Sequence, residues 1–148
     1  MLRKDWHMDG TLDDVPHLAA VTTAVVVADA DGGTEFADTA AAFATFGAPE
    51  QARLSALRVV HGHASHQRRV HPDTLPEQEA RWAAESTDPL DDLLARATRP
   101  EFVYRHDWTE GDLVIWDNQA LLHRACPYEL TSPRELHRTH VGGGTPSG

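Results

Sequence analysis

A single cysteine, Cys126, stands in the whole chain, so no disulfide can form within it and nothing marks an oxidising compartment. Basic charge is scarce too. Thirteen lysines and arginines face 23 aspartates and glutamates, for a formal net charge of -10. A nucleic-acid backbone or an anionic membrane surface would repel such a chain, which argues against both as partners. No apolar run reaches the length of a membrane span, and Met1-Leu2-Arg3-Lys4 leads into Asp5-Trp6-His7 without the hydrophobic centre of a signal peptide. A cytoplasmic protein is the expectation. No repeat, linker or low-complexity run divides the sequence, and only the Gly-rich residues 142–148 read as a flexible tail. With 148 residues, 41% of them hydrophobic, residues 1–141 are expected to bury one modest core as a single domain.

The last third of the chain holds the most pattern. Glu101 to Trp108 interleaves Phe102 and Tyr104 with polar residues, Glu110-Gly111-Asp112 supplies turn chemistry, and Leu113 to Trp116 is a run of buried-strand type. A third short strand ending at His123, a Pro-containing loop and a final strand carrying Arg134 and Arg138 complete an all-β half-site with one imidazole and two guanidinium groups. Four residues apart on a strand, the two arginines would face the same side.

Earlier in the chain, Leu18 to Ala28 is rich in Val, Thr and Ala and predicts a buried strand. Residues 29–33, Asp-Ala-Asp-Gly-Gly, predict a turn, and Thr34-Glu35-Phe36 restarts the chain. Asp38 can cap an Ala-rich helix from Thr39 to about Phe46, Gly47 ends it, and Pro49 opens a second helix with Leu54 and Leu57 on one face. Val59 to Val70 gathers His61, His63, His66, Arg68 and Arg69. A strand followed by a polar loop fits it, with His61 and His63 either exposed loop histidines or a second metal pair. Leu75 to Ser86 is polar and Glu-rich, and Asp88-Pro89 opens a helix whose Leu90, Leu93, Leu94 and Ala97 form one apolar face.

Near the start stands Trp6-His7-Met8-Asp9. On an extended segment His7 and Asp9 project from one face, and with a distant histidine they make two imidazoles and a carboxylate, the facial triad that leaves positions open on non-haem Fe(II). The same letters also describe a polar strand end near a terminus.

Four segments together decide between these readings: residues 6–9 (WHMD), 31–38 (DGGTEFAD), 99–108 (RPEFVYRHDW) and 113–141, which contains LVIWDNQALLHRA and RELHRTHV. In content and order they resemble the TauD/TfdA family of Fe(II)- and 2-oxoglutarate-dependent dioxygenases. The resemblance implies a mainly β fold with flanking helices, a double-stranded β-helix or jelly-roll of cupin type. It implies that His7, Asp9 and His123 bind iron, that Thr34 and Arg138 hold the far carboxylate of 2-oxoglutarate, and that Arg134 meets an anionic substrate; an ion pair of Arg134 with Glu135 or Glu129 is the alternative. His137 and His140 are expected to point away from Arg138 or to lie outside the site. Trp116 is expected to pack, while Asp117 and Asn118 hold the turn leading to His123. The reaction implied consumes O2 and hydroxylates a small organic sulfonate or carboxylate, with release of succinate and CO2.

Departures from the family pattern are local. Only six residues precede His7, where relatives carry a long segment, and the stretch between Thr34 and His123 is shortened. Gln119 stands where many relatives have arginine, and the order Asp-Gly-Gly-Thr replaces Gly-Gly-x-Thr. The expectation is an incomplete jelly-roll whose open sheet edges are covered by self-association. The alternative function is a truncated, inactive remnant that binds metal or pairs with another chain. A zinc hydrolase built on the same ligands would leave Arg138 and Thr34 without a role.

Overall fold

The computed structural model describes residues 6–11, 13–57, 88–129 and 131–143. The expectations for residues 59–86, including the His61 and His63 pair, lie outside the described residues.

Six strands form: β1 (Ala19–Val26), β2 (Thr34–Asp38), β3 (Val103–His106), β4 (Leu113–Asp117), β5 (Leu121–Ala125) and β6 (Glu135–Val141). Helices α1 (Thr39–Ala44) and α2 (Ala48–Ser55) follow β2, and α3 (Asp88–Ala97) leads through a 3-10 turn (Pro100–Phe102) into β3. The strands make two antiparallel sheets in the orders β4-β1-β6 and β3-β2-β5. A full jelly-roll has eight strands.

The strand expected from Leu18 to Ala28 is β1. Its alternation is visible in burial, with Ala20, Thr22 and Ala24 inside. Small residues on that face let the second sheet approach closely, and Phe36 and Trp116 fill the space between, their ring centres 5.2 Å apart. Ala20 of β1, Phe36 of β2 and Trp116 of β4, with Val114 and Leu121 against them, form the core that joins the sheets. Truncating an aromatic in such a position costs about 3–5 kcal/mol. The opposite face is less covered: Leu113 and Ile115 on β4, at the edge of its sheet among the described residues, are exposed.

Local chemistry sets the element ends. Asp38 caps α1 as expected, its Oδ1 accepting from Ala41 N at 2.8 Å, a contact worth about 1 kcal/mol. Helix α1 is shorter than expected and closes at Thr45, whose Oγ1 donates back to Ala42 O at 2.6 Å. The turn before β2 needs its two glycines for different reasons. Gly32 adopts φ +73°, whereas a Cβ on Gly33 would sit 2.8 Å from the His106 carbonyl oxygen, closer than a side chain can come.

Two details of the last third differ from expectation. Strand β5 runs two residues beyond His123, which places the imidazole mid-strand, opposite Phe36. Strand β6 begins at Glu135, so Arg134 stands just outside it.

Candidate metal centre

The two ends of the chain meet at the free edge of β5. His7 N donates to His123 O at 3.0 Å and His123 N to His7 O at 2.8 Å, a hydrogen-bonded antiparallel pair. Residues directly opposite in such a pair put their side chains on one face. The two imidazoles therefore lie together, ring centres 4.3 Å apart. Trp6, one residue earlier, lies under the Arg124 guanidinium at 4.4 Å, and Arg124 is itself paired with Glu35. A cation–π contact of this kind contributes about 0.5–1 kcal/mol and pins the segment in register.

Asp9 is set by Asn118. The Asn118 side chain accepts from Asp9 N at 3.0 Å and donates to Asp9 O at 2.8 Å, and it also donates to His17 O at 3.2 Å. Fully buried, Asn118 thus clamps the backbone of a residue 109 positions away. Asp117 holds the turn to β5, its Oδ1 accepting from Gln119 N and Ala120 N. The expected turn role is met by Asp117 alone, whereas the Asn118 side chain holds Asp9 and His17.

These contacts bring one donor atom each from His7, Asp9 and His123 within 4.8 Å of one another. Asp9 Oδ1 is 3.6 Å from His7 Nε2, and Asp9 Oδ2 is 3.6 Å from His123 Nε2. Arg138 enters from β6. Directly opposite the buried Thr22 of β1, it faces inward, donating from Nη1 to Asp9 Oδ2 at 2.9 Å and to His123 Nε2 at 3.1 Å. Its Nε donates to Thr22 Oγ1 at 3.3 Å, and its guanidinium lies 5.0 Å from the Trp116 ring centre. Arginine only donates, so His123 Nε2 must carry a lone pair.

Electrostatics keep His123 and Asp9 in metal-binding form. Burial foremost, then the charge of His7, pull the His123 pKa down to about 3, while the Asp9 charge opposes them. Burial alone would raise the Asp9 carboxyl, but the hydrogen bond from His140 and the charges of His123, Arg138 and His7 hold it below its ordinary value. A neutral imidazole whose Nε2 lone pair already accepts from a cation, beside an ionised carboxylate, is the donor set a divalent metal requires. The residues fit the group.

His140 is the residue that sequence reasoning missed. Its Nε2 lies 3.0 Å from Asp9 Oδ2, whereas His137, on the other face of β6, pairs with Glu135 at the surface. The signal was the period of two: His140 shares a face with Arg138.

Thr34 and Arg134 lie apart from this cluster. Thr34 is buried on β2, opposite Ala125, with its Oγ1 accepting from Trp108 Nε1 at 3.0 Å. Arg134 donates from Nε and Nη2 to Gly32 O at 3.2 and 3.0 Å and lies over Tyr128 at 5.1 Å. No ion pair of Arg134 occurs among the described residues.

Residues 64–140 match the family model described as Taurine catabolism dioxygenase TauD, TfdA family. An alpha-ketoglutarate-dependent 2,4-dichlorophenoxyacetate dioxygenase of Burkholderia sp. (strain RASC) is 32% identical, over 93% of this chain and 58% of that protein. An (S)-phenoxypropionate/alpha-ketoglutarate-dioxygenase of Sphingobium herbicidovorans is 37% identical over 64% of this chain and 29% of its own length. Among solved structures, AAD-2 in complex with Mn(II) and N-oxalylglycine superposes with a TM-score of 0.81 at 28% identity, covering 97% of this chain and 70% of that one. A taurine dioxygenase from Burkholderia xenovorans gives 0.77 at 27% identity, over 100% of this chain and 62% of that one. The fold is thus the expected jelly-roll, and the chain spans 58% of the length of the first of these relatives. From the match over residues 64–140 and the likeness of fold along nearly the whole chain, this protein belongs to the TauD/TfdA dioxygenase family.

Proposed function

We propose that the chain is a 2-oxoglutarate-dependent non-haem iron dioxygenase, with His7, Asp9 and His123 holding Fe(II). The observation that carries this reading is the convergence of those three donors, from opposite ends of the sequence, within 4.8 Å. When bound, Fe(II) would supply the oxidative chemistry in which O2 and 2-oxoglutarate give succinate and CO2 and one oxygen atom enters a substrate C–H bond. The chain's own contribution is binding and orientation. His7 and His123 would offer imidazole nitrogens and Asp9 the single carboxylate, with Trp116 and Phe36 packed on the inner side of His123.

Both arginines remain candidates for anionic groups, and geometry favours one division of labour between them. The far carboxylate of 2-oxoglutarate lies beyond two methylenes from the end that chelates metal, so the guanidinium that grips it must stand off from the ligands. Arg138 touches two of the ligand residues. Arg134, four residues and so roughly 13 Å away along an extended chain, lies against Gly32, two positions before Thr34. This supports Arg134 with Thr34 as the holder of the far carboxylate. It leaves Arg138 for an acid group on the primary substrate, the reverse of the assignment implied by the resemblance. A planar guanidinium grips a carboxylate or sulfonate by two parallel hydrogen bonds. The aryloxyalkanoate and taurine names among the relatives agree with a small anionic substrate.

Anaerobic addition of Fe(II) and then 2-oxoglutarate tests the proposal. A weak visible charge-transfer band that is absent in His123→Ala, followed by succinate release on admitting O2, is the expected result. Folded protein that gives no band would favour the inactive-remnant reading.

A further inference from the structure

We propose that His140 is a positioning residue for the carboxylate ligand: it fixes Asp9 Oδ2 and so leaves Oδ1 facing the metal. The inference rests on the assignment of His7, Asp9 and His123 as ligands. Asp9 Oδ2 lies 3.0 Å from His140 Nε2, and an ionised carboxylate only accepts, so that nitrogen carries the hydrogen. The other oxygen, Oδ1, lies on the His7 side. With no donor on Oδ2 a carboxylate turns freely about its last bond and meets a cation with either oxygen. With Oδ2 held, one oxygen is presented. Arg138 also donates to Oδ2, but its positive charge on Nη1 stands where a divalent cation would repel it. The His140 ring carries no such fixed charge, and its Nε2 reaches Oδ2 from β6 alongside the Arg138 guanidinium.

The imidazole is itself held by a built arrangement. The His17 ring stacks on His140, centres 4.3 Å apart and planes 17° from parallel. His17 Nε2 is 3.5 Å from Asp13 Oδ2, and its carbonyl oxygen accepts from Asn118. Residue 10 must be glycine for this to assemble: a Cβ there would lie 2.9 Å from both His17 Cδ2 and Asp13 Oδ2, and the backbone has φ +74°. One knot therefore fixes both halves of the ligand. Asn118 sets the Asp9 backbone, and the His17–His140 stack sets its carboxylate. Groups that orient a ligand in this way commonly change metal affinity about 10- to 100-fold when removed.

Two substitutions separate the hydrogen bond from the ring. His140→Gln keeps a donor near the Nε2 position, and His140→Phe keeps the stack without the donor. Co(II) is titrated into each full-length protein, following the visible ligand-field spectrum, with circular dichroism as the check on folding. We expect His140→Phe to bind Co(II) about 10- to 100-fold more weakly with an altered band pattern, and His140→Gln to recover most of the affinity and the wild-type spectrum. His17→Leu, which removes the stack and leaves the donor, should lose less; it also serves if His140→Phe does not fold, since a wild-type affinity in His17→Leu together with a wild-type spectrum in a folded His140→Ala would overturn the role. Equal affinity and spectrum in His140→Phe and wild type would overturn the inference alone. A wild-type protein that takes up no Co(II) would overturn the ligand assignment beneath it as well.

Discussion

Arg134 and Arg138 carry the same group four residues apart, yet the structure uses them differently. Arg138 lies on β6, opposite the buried Thr22, and reaches Asp9 and His123. Arg134 precedes the strand and binds a backbone carbonyl, at Gly32, beside the Tyr128 ring. Strand pairing aims the first inward by the period of two, whereas a loop and a glycine turn aim the second. The difference teaches that one strand and its approach can present the same group to two surroundings: Arg138 to a carboxylate and an imidazole, and Arg134 to a neutral backbone carbonyl.

Exchanging each arginine for leucine would break or sharpen this comparison. Arg134→Leu should raise the 2-oxoglutarate concentration that half-saturates the anaerobic band about 10- to 100-fold, the worth of a lost charge-assisted pair. Arg138→Leu should leave that concentration within about threefold, because its guanidinium stands at the metal end. The opposite pattern would restore the assignment implied by the resemblance.

A smaller effect distinguishes the two ends by pH, read on the metal-free protein. His123 has an ordinary pKa of 6.5 and a folded value of about 3, so between these the unfolded chain binds a proton that the folded one does not. Stability therefore falls as pH drops from 6.5 toward 3, at most about 1.4 kcal/mol per pH unit from this group. Asp9 acts lower: its folded value is below 3.8, so its contribution is present above 3.8 and is lost as pH falls through the folded value. Denaturant unfolding across this range should show the upper slope in wild type and a flatter one in His123→Leu. An Arg134→Leu profile should parallel wild type.

Much of this was legible in the sequence because it depends on local pattern. The Val, Thr and Ala run gives β1, Asp38 caps α1, and the Gly-Gly turn before Thr34 forms where expected. The proposed ligand triad is legible only through a resemblance spread over several segments; spacing alone leaves His-x-Asp open. What escaped is what tertiary pairing decides. Nothing near Asn118 announces that its amide will grip Asp9 across 109 positions, and nothing near His17 says that its ring will meet His140. By sequence Arg134 reads as part of the last strand, whereas β6 begins one residue later, at Glu135. His140 could have been found, since counting by two from Arg138 places it on the inner face.

Three side chains from distant parts of the sequence, His7, Asp9 and His123, are proposed to surround one cation. Crystals soaked anaerobically in Mn(II) and measured for anomalous scattering test this directly. The account predicts one strong peak bonded to His7, Asp9 and His123, with the Arg138 guanidinium withdrawn from Asp9 Oδ2. A map with no peak there, and Arg138 still bridging Asp9 and His123, would contradict it.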